Sequence, residues 1–306
     1  MSSAAATSFV AHSYDPFAVV PPPTRSDDDG TDTPPAPAPH ALSLGVVAGA
    51  QGSAYIEWHD GTAKGTKLVA AVFGPRDRPG RTAPAAGGGA PGSLCVHVRH
   101  APFANEGRRT LFGSTSRPAR LAEDAAGTSA FVTEDTQQAF LSEALAPFVD
   151  TAAFPKLTVD IAITVVESAA AGGVALGDGE LEGGVGALAD TPALTAACAA
   201  ALVDAGVPMR DMPSCALVAG TEAGALVPDP TPVALQRAHA VAALVYSPRL
   251  ERVAHLHTLG RWRLDASKPS LHSAIEAGIG ECARTDVAMR AAVSAALRPR
   301  LMSGSQ

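Results

Sequence analysis

The stretch ALTAACAAALVDAGVPM, from Ala193 to Met209, predicts a helix with very little side-chain bulk. Asp190 or Thr191 can serve as its N-terminal cap, and Pro192 suits its first position. Gly206 suits the left-handed position just past its end. Because an alanine-rich helix of this kind has no polar face, we expect it to lie in the core.

Strand patterns surround this helix on both sides. They are two short strands within 41–58, then 66–75, 93–100 and 157–166 before the helix, and 214–220, 240–248 and 252–260 after it. Two further helices are predicted, at 133–150 with Thr133 as its cap and at about 268–297. Strands followed by a helix, twice over, indicate one domain of the α/β or α+β class.

Composition separates a tail and several loops from this domain. Residues 1–40 are rich in Pro, Ser, Thr, Ala and Asp and carry a net charge of −4, from five acids and one base. Such a composition cannot offset its ordering entropy, and we expect a disordered tail, part of which can dock as an extended strand. The domain then covers 41–306, with glycine-rich insertions at about 77–92 and 167–186 and a polar loop at 105–127.

The bulk numbers exclude several classes of protein. The 306 residues carry a net charge of −7, which argues against a dedicated nucleic-acid binder, although the nearly neutral body can hold a local basic patch. No apolar run approaches the roughly 18 residues of a membrane span, and the N-terminus has no secretory pattern. The four cysteines form no CxxC pair, which favours reduced cysteines in a nuclear or cytosolic protein.

Five sequence words then occur in order along the chain: GSAYIE, KLVAAVFGPRD, APFANEGRR, ALVDAGVPMRDM and LVPDPT. Together they resemble the RNase PH family, and within it the ring subunits of the eukaryotic RNA exosome. The resemblance implies a βαβα-type, ribosomal protein S5 domain 2-like fold in which the slender helix lies against the sheet and a neighbouring helix. It also implies a six-membered ring of RNase PH-like subunits, S1/KH cap subunits, RNA, an associated nuclease, and residence in the nucleus, nucleolus and cytoplasm.

The family's chemistry needs cations for phosphate and carboxylates for metal and proton. Catalytic relatives place an arginine-bearing glycine turn at the N-terminus of this helix, where it binds an anion. The corresponding segment here, GGVGALADTPAL, has Asp190 instead, and no arginine occurs between Arg120 and Arg210. We therefore expect no phosphate site.

The acidic cluster of catalytic relatives is also missing. Asp229 is the only carboxylate between Ala223 and Leu250, and an Asp before a Pro is most often a turn former. One carboxylate cannot serve as both metal ligand and general acid. We therefore expect no catalytic residues, no cofactor and no enzymatic activity.

A basic segment offers contacts to RNA instead. Its arginines are predicted to guide phosphates without selecting sequence, and the interleaved Phe103 and Phe112 could stack bases. The predicted RNA-binding residues are Arg99, Arg108, Arg109, Arg117 and Arg120. The alternative is a solvated polar loop.

Two smaller features favour structural roles. His255 and His257 share one strand face, as metal ligands would, but no third ligand stands out, and we predict no metal site. Cys198 lies within the alanine-rich helix and is predicted to be a buried small side chain.

Three functions remain open from the sequence. The favoured one is a non-catalytic exosome ring subunit that supports 3′–5′ RNA processing by assembling the ring and guiding RNA through its pore. The alternatives are an active phosphate-dependent 3′–5′ exoribonuclease and a stand-alone RNA-binding scaffold.

Overall fold

A computed structural model of the chain describes residues 39–58, 65–77, 91–104, 130–168, 188–221, 224–231, 234–235, 238–262 and 270–303. Over these residues the elements are β1 (Pro39–Leu44), β2 (Gly52–Trp58), β3 (Thr66–Arg76), β4 (Ser93–His100), α1 (Ala130–Leu145), β5 (Thr158–Glu167), α2 (Thr191–Asp204), β6 (Ser214–Thr221), β7 (Leu226–Pro228), β8 (Ala238–Ser247), β9 (Arg252–Gly260) and α3 (Leu271–Ser303). A short 3₁₀ turn, Thr151–Ala153, precedes β5.

The first sheet has the strand order β1-β2-β3-β5-β4. Its neighbours are antiparallel except for β4 and β5, which pair in parallel from Ser93 opposite Thr158 to His100 opposite Val165. Parallel neighbours need a crossover connection, and α1 lies in the connection between these two strands. The β4-α1-β5 segment is therefore a βαβ unit.

The second sheet has the order β7-β6-β8-β9, with every neighbouring pair antiparallel. Helix α3 packs on this sheet at very close range. A Cβ built at Gly278 would lie 2.9 Å from Leu244 Cδ2, so the absence of a side chain there permits the approach.

Helix α2 lies between the two sheets, in contact with β2 and β3 on one side and β6 on the other. Twelve of its 14 residues are buried, which confirms the predicted core helix. The approach is closest where β2 begins, because a Cβ at Gly52 would lie 2.1 Å from the backbone nitrogen of Ala205. Small side chains let α2 serve as the shared centre of one apolar core.

Most predicted elements are confirmed, with three differences at their ends. Helix α1 runs from Ala130 to Leu145, so it begins three residues before the predicted Thr133 and ends five residues before the predicted residue 150. Strand β3 continues past Gly74 to Arg76 through a cis Gly74–Pro75 bond, since a bulge keeps it paired with β5. Helix α3 runs to Ser303 with Pro299 inside it.

Several predictions fall on segments outside the described residues. These are the tail up to residue 38, the insertions over 78–90 and 169–187, and the polar loop over 105–129. Strand β1 begins at Pro39, two residues before the predicted start of the domain.

Candidate functional site

The N-terminus of α2 is the position at which the sequence predicted a lost phosphate site. Asp190 occupies it and is 1% exposed. Its Oδ1 accepts a hydrogen bond of 2.6 Å from Thr66 Oγ1, and its Oδ2 accepts one of 2.5 Å from Ser168 Oγ. The carboxylate therefore joins the start of β3, the segment after β5 and the start of α2.

Asp190 does not cap the helix through its side chain, which corrects the prediction that it could. Its backbone is helical, at φ −88° and ψ −6°, whereas a residue that caps with its side chain adopts the extended region. Thr191 does not fill the role either, because it lies within α2 and its hydroxyl donates to the carbonyl of Leu188 at 2.6 Å. The predictions of Pro192 in the first turn and of a left-handed Gly206, at φ +67°, are confirmed.

The positive end of the α2 dipole already faces a negative group. A carboxylate near a helix N-terminus is stabilised by the partial charge of the first N–H groups. Because Asp190 is inside the protein and hydrogen-bonded on both oxygens, a phosphate at this point would meet a fixed negative charge.

Asp229, the lone carboxylate after β7, is a turn residue. Its φ is +48°, a left-handed conformation that Asp tolerates better than most residues, and its N–H donates to the carbonyl of Leu217 at 2.9 Å. The prediction that Asp229 is a turn former is thereby confirmed for its backbone.

A second buried carboxylate lies past the C-terminal end of α2. Asp211 accepts hydrogen bonds from Ser247 Oγ at 2.5 Å, from the backbone N–H of Met212 and of Arg249, and from Arg290 Nη2 at 2.6 Å. Arg290 also donates from Nε to Asp286, one helical turn earlier, at 2.7 Å. The group ties α3 to the end of β8 and to the loop that leaves α2.

Burial opposes the ionisation of Asp211, but the hydrogen bonds from Ser247, the two N–H groups and Arg290 outweigh it and lower the pKa of its carboxyl. The sequence analysis missed this group. A signal was present, because Asp286 and Arg290 stand four residues apart on the face of α3 that carries Met289 and Val293, and charges on a buried face require buried partners.

Beside this group the surface opens into a cavity of about 370 Å³, which we call the exit cleft. Its walls come from the end of α2, the loop after it, the turn after β8 and the last turns of α3. It is lined by Val203, Met209, Arg210, Asp211, Met212, Arg249, Arg290, Val293, Ser294 and Leu297.

The basic segment predicted to contact RNA is only partly described. Arg99 is exposed on β4, and Phe103 beyond that strand is 60% exposed. His100 lies next to Arg99 in sequence but points inward, where its N–H donates to Glu134 Oε1 at 2.8 Å. Arg108, Arg109, Arg117 and Arg120 lie outside the described residues, as does Phe112.

The His255 and His257 pair packs against an aromatic ring. Both imidazoles meet Phe140 of α1 edge to face, at centroid distances of 4.9 and 6.3 Å. Burial lowers the pKa of His255, although Glu143 opposes the shift. Within the described ranges, no group of three or more His, Cys, Asp or Glu side chains could hold a metal ion.

The cysteines are structural. None of the four, all of which are described, forms a disulfide. Cys198 is fully buried in α2, which confirms its prediction, and burial raises the pKa of its thiol far above the usual range. Burial likewise raises the pKa of Cys215 to about 12. Among the residues described, no helix is long and apolar enough to cross a membrane.

Two sheets with a buried helix between them define the architecture of the described residues. The family described as "3′ exoribonuclease family, domain 1", or RNase PH, matches residues 39–208, more than half of the chain. The chain belongs to the RNase PH family. This confirms the resemblance that the five sequence words indicated.

Relatives narrow the comparison within that family. The chain is 33% identical to exosome complex component MTR3 of Homo sapiens over 282 residues, which cover 89% of this chain and 88% of that protein. It is 30% identical over 222 residues to exosome complex component Rrp41 of Cenarchaeum symbiosum, covering 69% of each. The crystal structure of rice Rrp46 shares the fold, with a TM-score of 0.58 and 21% identity over 88% of this chain and all of that one.

Proposed function

We propose that the chain is a catalytically inactive ring subunit of the RNA exosome, which supports 3′–5′ RNA processing and degradation by other subunits. Its similarity to exosome complex component MTR3 along nearly the whole length of both proteins supports membership of that assembly. A subunit of this fold that does not react with phosphate can still form part of the ring and line its pore.

The buried Asp190 carries the proposal of inactivity. Phosphate attack on RNA requires the phosphate to be held by cations and N–H groups beside the reacting bond. At the N-terminus of α2, the residue before the helix carries a carboxylate that is 1% exposed and bonded to Thr66 and Ser168, so a negative group lies where a phosphate would have to bind. The sequence has no arginine within 121–209, so the segment that leads into this helix supplies no guanidinium to its N-terminus.

The carboxylate side of the chemistry points the same way. Asp229 holds a left-handed turn, and no second acid accompanies it between Ala223 and Leu250. The two buried acids that contact Arg290, Asp211 and Asp286, are held in hydrogen bonds with that guanidinium and serve the packing of α3.

A phosphorolysis assay tests inactivity. The purified chain, alone and assembled with its partners, is incubated with uniformly labelled single-stranded RNA with and without inorganic phosphate. We expect no phosphate-dependent release of nucleoside diphosphates that depends on this chain. Asp229→Ala in this chain is the matched control. Phosphate-dependent release of nucleoside diphosphates that this variant abolishes would instead establish the active exoribonuclease.

Ring neighbours are proposed from the open strand edges. In the described sheets, β1 and β4 are the edge strands of the first and β7 and β9 those of the second. Strand edges with unused backbone groups can pair with another chain. Other RNase PH-like exosome subunits are the proposed partners at these edges, together with S1/KH cap subunits and an associated nuclease, in the nucleus, nucleolus and cytoplasm.

Affinity purification followed by native mass spectrometry tests the assembly. We expect the intact chain in a hetero-oligomer with RNase PH-like and S1/KH-domain proteins. Recovery of the chain as a monomer, bound to RNA without these proteins, would favour the stand-alone scaffold.

RNA guidance is proposed from the exposed pair Arg99 and Phe103. A guanidinium on an edge strand can contact a phosphate, and a ring 60% exposed can stack on a base. If Arg99 makes one phosphate contact, Arg99→Glu lowers affinity for single-stranded RNA and reduces the slope of log K against log salt by about 0.7. Equal slopes for the variant and the unaltered assembly would contradict the contact.

A further inference from the structure

The exit cleft combines an apolar floor with a rim of guanidinium groups. Met209, Val293 and Leu297 supply apolar surface, while Arg210 and Arg249 are exposed at the rim. Arg290 is shared by two aspartates, Asp211 and Asp286, and belongs to the fold; these three side chains together carry one net negative charge. The two rim arginines are the exposed positive charges that the cleft offers to an occupant.

A nearby acidic side chain offsets only a little of the positive charge of Arg210. Arg210 has one described carboxylate near it, Asp150, at 3.7 Å between Nη2 and Oδ1, and both side chains are largely in water. An ion pair of that length between exposed groups contributes little. The turn beside Arg249 adds exposed apolar surface, since Leu250 is 49% and Val253 43% exposed. The occupant that fits carries carboxylates next to small apolar residues.

The chain itself contains such a segment, before β1. Residues 26–32 read SDDDGTD, and 33–39 read TPPAPAP. Four carboxylates stand within six positions, from Asp27 to Asp32, and small apolar residues follow them at once. The segment matches the cleft in the sign of its charge and in the size of its side chains.

The start of β1 lies within reach of the cleft. Pro39 pairs with Trp58, which pairs with Thr66, and Thr66 bonds to Asp190 at the N-terminus of α2. The cleft lies at the other end of this helix, and 14 helical residues span about 21 Å. Seven extended residues from Pro39 back to Asp32 cover about 24 Å, and twelve back to Asp27 about 41 Å. Strand β1 also packs against α3, which forms one wall of the cleft.

We propose that residues 27–32 bind in the exit cleft of the same chain, with their carboxylates paired to Arg210 and Arg249. Because a short linker gives the segment an effective concentration in the millimolar range, the segment can bind through contacts that would be too weak for a separate peptide. The contact is sensitive to salt, since both rim arginines are in water. The inference is independent of the proposed function and concerns a different end of the molecule.

Site-directed photocross-linking in the full chain tests the contact. Benzoylphenylalanine replaces Gly30, and irradiation is followed by proteolysis and mass spectrometry. We expect cross-links within one chain to peptides that contain Met209, Leu250 to Val253, or Val293 to Leu297. Their yield falls at least tenfold in the variant D27N/D28N/D29N/D32N and in the variant R210E/R249E.

Three controls keep the result decisive. Arg99→Glu reverses one arginine on the edge strand β4, half the charge change of R210E/R249E, and leaves the cross-links unchanged. The Asp→Asn changes lie before β1, so they report on the contact even if R210E/R249E perturbs folding. A mixture of isotopically labelled and unlabelled protein separates cross-links within a chain from those between chains. Cross-links to other surfaces, cross-links between two copies, or yields that ignore both charge variants would overturn the proposal.

Discussion

A buried aspartate lies near each end of α2, and its negative charge is stabilised by different groups at the two ends. At the N-terminal end, Asp190 is bonded to two hydroxyls and faces the positive end of the helix dipole. Past the C-terminal end, Asp211 is bonded to Arg290 and to N–H groups beside an open cleft. One end is closed around its own carboxylate, whereas the other presents arginines to solvent.

The difference separates a helix end that the fold encloses from one that borders a cleft. At the enclosed end, the Asp190 carboxylate accepts from two hydroxyls of the same chain. The exposed arginines of the cleft, Arg210 and Arg249, lie about one helix length away.

The largest effect is expected at the open end, for Arg290→Met. The variant keeps apolar volume but leaves Asp211 and Asp286 buried without their cation, and we expect it to lower the free energy of unfolding by about 3 kcal/mol. This value is at the lower end of the cost of breaking a buried ion pair, because the Arg290 side chain is 38% exposed. The free energy of unfolding in urea measures it. Arg249→Met is the control, at within about 0.5 kcal/mol, since its side chain is exposed. Equal costs for the two variants would contradict the structural role of Arg290.

The next effect is expected at the closed end, for Asp190→Ala. The hydroxyls of Thr66 and Ser168 lose an acceptor inside the protein, and the helix N-terminus loses its negative charge, for a cost of about 2 kcal/mol. Asp204→Ala is the control at the other end of the same helix. It removes a carboxylate that accepts from Ser53 N–H, but from a helix C-terminus, where the negative charge is unfavourable. We expect that control to cost less than about 1 kcal/mol, and a larger cost than for Asp190→Ala would reverse the comparison.

The smallest effect is expected in the pH dependence of the stability that Asp211 contributes at the open end. The pKa of Asp211 is lower in the folded chain than its unfolded value of about 3.9, so its stabilisation is complete above that value and is lost as pH falls through the folded pKa. Ser247→Ala removes one of its donors and costs about 1 kcal/mol at neutral pH. Urea unfolding across a pH series measures the difference from the unaltered chain.

That difference is expected to shrink below about pH 4, as Asp211 becomes protonated in both proteins. Ser270→Ala is the matched control, because the hydroxyl that it removes bonds to Ser273 and to no carboxylate among its described contacts. Its cost is expected to stay constant over the same series. A constant cost for Ser247→Ala as well would show that Asp211 does not titrate as the structure indicates.

Sequence patterns predicted the elements well where one physical rule dominates. The alternation in β4 and the small side chains of α2 each have a single structural solution, and both were found. The role of Asp190 was half predicted. Its position at the helix start follows from Pro192, but its hydrogen bonds come from Thr66, 124 residues earlier, and from Ser168. No local pattern brings those three residues together.

The open end was missed for a related reason. Asp211, Ser247 and Arg290 lie in three separate segments, and the word ALVDAGVPMRDM, which contains Asp211, does not indicate its partners. In the basic segment, strand alternation decides which side chains are accessible, and His100 directly follows Arg99 on β4. In a strand neighbouring side chains point to opposite faces, and only Arg99 remains at the surface.

The enclosure of α2 by both sheets has a consequence for the dynamics of the chain. Neither layer can separate from the other without exposing the same helix, so the amide protons of α2 have no cheap local route to solvent. Their deuterium exchange is therefore expected to follow complete unfolding, with one free energy shared by β2, β3 and β6. A chain built in this way loses both layers together, and a proteolytic cut that removed either sheet would leave no folded half behind.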